Sequence, residues 1–105
     1  MTNASFYILL SLSATERHGY DILKRVDAIS SGKVALGPGT LYTNLKRMEE
    51  AGLILEIHRP AARHEDSRRR YYRLSSTGRT ELNAELERMK QAIAIARHAL
   101  AGETS

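Results

Sequence analysis

The sequence predicts a mainly α-helical chain with one small β-hairpin and a long helix at its end. Three observations predict it. Apolar residues recur at helical spacing over residues 22–29, 41–48 and 82–100. Two short runs rich in β-formers, residues 53–59 and 69–74, flank a polar, turn-like stretch at 60–67. A length of 105 residues allows one modest core, since a domain of this size hides only roughly 60–70% of its unfolded surface.

Residues 5–12 are apolar and rich in Leu and aromatics, which predicts a first helix packed on several sides. Ala14-Thr15-Glu16-Arg17-His18-Gly19 breaks it, and a second helix starts near Tyr20 with Ile22, Leu23, Val26 and Ile29 on one face. Ser30-Ser31-Gly32 ends that helix, and Lys33-Val34-Ala35-Leu36 is a short extended connector. Gly37-Pro38-Gly39-Thr40 is a helix entry, because proline's fixed φ suits the first turn. Leu41, Leu45 and Met48 carry the third helix to Ala51-Gly52, where glycine serves as a C-cap. The hairpin follows, and Ser75 or Ser76 can cap a last helix over residues 77–100. The organisation expected is residues 1–75 as one unit and residues 76–105 as a terminal helix with a short tail.

Composition narrows the function. There is no Cys, which excludes disulfides, thiolate nucleophiles and Cys-based metal sites. His18, His58, His64 and His98 show no i, i+3 or i, i+4 spacing, and no HExxH occurs, so no metal or cofactor is expected. Gly37-Pro38-Gly39 lacks the rest of a P-loop, and no paired carboxylates suggest a cleft, so an enzyme is not expected. No apolar run approaches the roughly 20 residues that span a bilayer, and no signal-peptide pattern opens the chain; a soluble cytoplasmic protein without membrane contact is the default reading. Sixteen Lys and Arg against twelve Asp and Glu leave a formal +4. Arg59, Arg63, Arg68, Arg69, Arg70 and Arg73 are opposed in their stretch only by Glu65 and Asp66, so that stretch carries the whole excess. Arginine forks two hydrogen bonds onto a phosphate or a guanine edge, whereas the same charge on a solvated loop only aids solubility.

Helix, helix, helix, arginine-laden hairpin and long helix is the plan of a winged helix-turn-helix, in which the third helix enters the major groove of double-stranded DNA and the hairpin leans on the backbone. His18-Gly19-Tyr20-Asp21-Ile22, then Gly37-Pro38-Gly39-Thr40-Leu41-Tyr42 with Leu45, Glu49, Gly52, Leu53 and Ile54, then Arg69-Arg70-Tyr71-Tyr72-Arg73-Leu74-Ser75 with Gly78, resemble the three signature blocks of the PadR family of transcriptional regulators. The blocks run in order over more than half of the chain. The single helix after the wing resembles the short branch of the family. The resemblance implies a homodimeric DNA-binding regulator, most often a repressor, relieved by a small-molecule effector.

Thr40, Tyr42, Thr43 and Lys46 lie on or near the face opposite Leu41, Leu45 and Met48, and are the candidates for DNA contact. Short hydrogen-bonding side chains near a helix N-terminus, with a cation further along, suit bases and phosphate respectively. Tyr42 has a second reading, packed under the wing. Arg63, Arg68 and Arg69 are the wing candidates for phosphate or minor-groove contact. Tyr71 and Tyr72 could stack on bases, but alternation along a strand favours core or strand pairing. His18 is read as a structural hydrogen-bonding residue at the start of the second helix.

Leu82, Leu86, Met89, Ile93, Ala96 and Leu100 are spaced four, three, four, three, four, the a/d pattern of a coiled-coil seam. The stripe could pack on the chain's own helices, yet a helix this long overhangs so small a core. Pairing with its twin, and with the first helix of the partner through Phe6 and Leu9, is therefore the expected homodimer interface, and the place for an effector. A two-fold dimer would present two reading helices to a palindromic operator. The rival is a winged helix used for protein contact without DNA.

Overall fold

In the computed structural model, which describes residues 1–57 and 70–103, the chain starts with helix α1 (Asn3–Ser11), capped by Thr2, whose Oγ1 accepts the Ser5 N–H at 3.1 Å. α1 begins two residues earlier than its apolar run predicts, because that cap is polar and lies outside the run. Ile8 and Leu9 are wholly buried. A two-residue strand, β1 (Arg17–His18), and helix α2 (Gly19–Ile29) follow. Arg17 Nε donates to the Ser11 carbonyl at 2.7 Å, satisfying an orphan acceptor at the end of α1, and its Nη1 pairs with Asp21 at 3.0 Å. His18 caps α2: Nδ1 accepts the Asp21 N–H at 3.2 Å, the structural role its sequence position suggests.

Helix α3 (Pro38–Glu50) enters through an extended Gly37 with Pro38 in its first turn. It ends in a Schellman arrangement: the Leu53 N–H donates to the Met48 carbonyl and the Gly52 N–H to the Glu49 carbonyl. Gly52 takes φ 77°, the left-handed conformation that glycine adopts without a Cβ penalty. The chain then enters strand β2 (Ile54–Ile57).

Strand β3 (Tyr71–Leu74) lies between β1 and β2 and is antiparallel to both, with Ile54 opposite Leu74 and His18 opposite Tyr71. The sequence shows a two-stranded hairpin; β1 adds the third strand. Its central place explains a second departure. Tyr71 and Tyr72 are both buried, against the expectation that alternation would bury one. Tyr72 joins the main core, whereas Tyr71 is covered on the other side, its ring meeting that of His18 edge-on at 5.5 Å. Burial of both leaves no tyrosine face here for a base.

Helix α4 (Ser76–Glu103) is capped by Ser75, whose Oγ accepts the Gly78 N–H at 2.9 Å. Its first turns pack on α1 and β3, and Leu82 is the last residue of α4 in the core. Gly78 passes so close to the residue that precedes β2 that an added Cβ would fall 1.9 Å from the Leu53 carbonyl oxygen. At 1.5 Å per residue α4 is about 42 Å long, and it projects from the head to give extents of 62 × 27 × 22 Å. Among the described residues, no helix is long and apolar enough to cross a membrane.

The expected interface needs correction at three positions. Phe6, Leu9 and Leu82 belong to the chain's own core, with Leu9 wholly buried, so they offer almost no area to a second copy. The physical reason is that α1 is wrapped by α2, α3 and α4, and its part-exposed apolar residues are Tyr7 and Leu10. Leu86, Met89, Ile93, Ala96 and Leu100 are exposed on α4, joined by Ile95.

Candidate nucleic-acid interface

α3 divides cleanly by face. Leu41, Leu45 and Met48 are buried against the core, while Thr40, Tyr42, Thr43, Lys46 and Arg47 are exposed. The helix is therefore fixed by one apolar stripe and leaves a polar ridge in solvent. The structure brings together all four candidates that lie on this helix.

Their chemistry differs. Thr43 Oγ1 donates to the Gly39 carbonyl at 2.9 Å, a back-bond that uses its proton and leaves its lone pairs as acceptors. Asn44 Nδ2 donates in the same manner to the Thr40 carbonyl at 2.9 Å. Tyr42 is half-exposed, and it reaches α2: a Cβ built on Gly19 would lie 2.5 Å from the Tyr42 hydroxyl oxygen. The phenol thus packs over the start of α2, and glycine at position 19 makes room for it. Sequence inspection alone does not pair residues 23 positions apart on two helices.

At the root of the wing, Arg70 Nε lies 3.5 Å from Glu56 Oε1 across the β2–β3 pair. Burial and the Glu56 carboxylate raise the Tyr72 pKa above the usual tyrosine value, with the nearby Arg70 guanidinium opposing them. Tyr72 is therefore a neutral phenol at physiological pH. Arg63, Arg68 and Arg69, the wing candidates, lie outside the described residues, as do His58 and His64. Among the described residues, no cluster of His, Asp or Glu is arranged to hold a metal ion.

Two exposed residues on α2 were not among the site candidates read from the sequence. Tyr20 is 63% exposed on the first turn of α2, and Lys24 Nζ lies 5.5 Å from its ring centroid. Their i, i+4 spacing on the polar side of α2 is the signal that could have found them.

Residues 8–84 match the model of the transcriptional regulator PadR-like family. No curated protein matches the chain significantly by sequence. Among solved structures, a PadR family transcription regulator from Clostridium difficile is 25% identical, with a TM-score of 0.75 over 94% of this chain and 99% of that one. A PadR-like regulator from Bacillus cereus is 21% identical, with a TM-score of 0.75 over 91% and 89%. Bacillus subtilis PadR in complex with operator DNA is 22% identical, with a TM-score of 0.70 over 92% of this chain and 60% of that one.

Proposed function

Because the chain belongs to the PadR-like family and is a transcriptional regulator of that family, we propose that it binds a palindromic operator as a homodimer and represses transcription until an effector releases it. The observation that carries the DNA-binding part is the division of α3, with Leu41, Leu45 and Met48 in the core and Thr40, Tyr42, Thr43 and Lys46 in solvent. Such a helix can enter the major groove without giving up a core residue. Thr40 and Thr43 would meet base edges, Lys46 a phosphate, and the Arg63, Arg68 and Arg69 wing the flanking backbone. The DNA-bound state of the related Bacillus subtilis protein supports the same use of the fold.

The dimer rests on α4. Leu86, Met89, Ile93, Ala96 and Leu100 form an exposed a/d seam beyond the head, and burying one large apolar side chain is worth about 1.5–3 kcal/mol. A partner's α4 would cover the seam, and Tyr7 and Leu10 on α1 replace Phe6 and Leu9 as the second contact. In this reading residues 1–75, with the first turns of α4, form the DNA-binding head, and the rest of α4 is the dimerisation helix. An effector between the subunits would act by binding one spacing of the two α3 helices better than the other. Repression would be steric, with the dimer on its operator blocking polymerase.

Selection of genomic fragments by the purified protein, followed by fluorescence-anisotropy titration of the winning duplex across salt, tests this reading. The expected result is an inverted repeat bound with a steep negative salt slope, and loss of discrimination in Thr40→Ala or Thr43→Ala. Binding that favours no sequence and is flat with salt contradicts it and turns attention to a protein partner on the same face.

A further inference from the structure

Tyr20, on α2, stands out in the head because it is large, aromatic and 63% exposed, whereas the tyrosines of the sheet, Tyr71 and Tyr72, are buried. The Lys24 ammonium sits over its ring, 5.5 Å from the centroid. A cation–π contact at an exposed site is worth only about 0.5–1 kcal/mol, too little for the fold to depend on it. What the contact does is hold a phenol and an ammonium together on one turn of α2. Both are donors suited to a phosphate oxygen.

The location gives that pair a use. The Tyr42 hydroxyl lies against Gly19, so the start of α2 is fixed beside the exposed ridge of α3. The neighbouring charges leave Lys24 effective. Asp21, in the same first turn, is ion-paired with Arg17, and Asp27, one turn beyond Lys24, approaches the turn at Gly32. From this geometry we infer that Tyr20 and Lys24 form a phosphate-contact ledge, which grips the DNA backbone next to the base pairs that α3 faces. The ledge rests on the DNA-binding reading and adds a contact made by α2. It anchors register and carries no base preference, because a phosphate is the same at every step.

The test is anisotropy titration of wild type, Lys24→Gln, Lys24→Arg and Tyr20→Phe against two duplexes, the selected operator and a scrambled duplex of equal length, across salt. Lys24→Gln is expected to weaken both duplexes by a similar factor and to make the slope of log affinity against log salt shallower by about 0.9 per subunit. Lys24→Arg should restore the wild-type slope. Tyr20→Phe, which removes only the hydroxyl, should weaken both duplexes several-fold with the slope kept. Thermal melts of all four proteins should coincide, since both side chains are exposed. Wild-type binding with an unchanged slope in Lys24→Gln overturns the ledge while leaving DNA binding intact. A change confined to the operator would make Lys24 a base-reading residue and equally overturns it. Wild type that binds neither duplex sinks the DNA-binding reading and the ledge with it.

Discussion

Leu45 and Ile95 are both apolar residues within regular helices, yet Leu45 is 1% exposed and Ile95 is 71% exposed. The contrast extends to the regions around them. Up to Leu82 the chain closes on itself: four helices and a three-stranded sheet meet in one core, and the starts of α1, α2 and α4 are capped by the side chains of Thr2, His18 and Ser75. Beyond Leu82, α4 keeps an apolar stripe and no described part of the chain buries it. The first region satisfies its hydrophobic residues within one chain, and the second has them without a place to put them. That difference separates what stabilises the monomer from what is available to a second copy.

Substitutions can break the comparison or sharpen it. Leu45→Ala should lose about 2–5 kcal/mol in urea unfolding, because it empties a filled core. Ile95→Ala should leave the unfolding of the head within about 0.5 kcal/mol of wild type when measured at a concentration where the chain is monomeric. Equal losses at the two positions would mean that α4 is packed on its own head after all.

Gly78→Ala is a sharper probe of where the head ends. In an ordinary helix interior this change gains about 0.5–1 kcal/mol. Here the new Cβ would meet the Leu53 carbonyl, a backbone atom that also accepts the Ser75 N–H at 3.0 Å. The expected outcome is a net loss of about 1–3 kcal/mol, read from the denaturation midpoint. A stabilised Gly78→Ala would show that the first turn of α4 is not locked to the backbone at Leu53.

The smallest effect is expected at the wing root. Burial and Glu56 raise the Tyr72 pKa, so the folded state holds the phenolic proton more tightly than the unfolded chain does. The linked stability is fully present below the unfolded tyrosine value of about 10 and is lost as pH rises through the higher folded value. Wild type should therefore lose stability at alkaline pH, and Tyr72→Phe should flatten that part of the stability–pH profile. Identical alkaline slopes in the two proteins would contradict the assignment.

Much of this was legible in the sequence, for reasons that differ by element. α3 could be read because its entry (Gly37-Pro38), its stripe (Leu41, Leu45, Met48) and its stop (Gly52) are all local signals. The seam of α4 was equally plain, because a 4-3 repeat needs no tertiary knowledge. β1 was not legible, since two residues cannot show a period of two, and Arg17–His18 becomes a strand only by pairing with β3. The side assignment on α1 failed for a related reason: a run as apolar as Phe6-Tyr7-Ile8-Leu9-Leu10 has no polar face to mark which side turns outward. The same limit hid the packing of Tyr42 on Gly19, which depends on how α2 and α3 cross.

The division between a closed head and an open helix is tested most directly by sedimentation equilibrium of wild type and Ile93→Asp over a range of concentrations. The account predicts a wild-type mass of twice the 11.8 kDa chain, falling to one chain in Ile93→Asp while the head keeps its fold by circular dichroism. A wild-type mass of one chain at every concentration would contradict it, because the exposed stripe of α4 would then have no second copy to cover it.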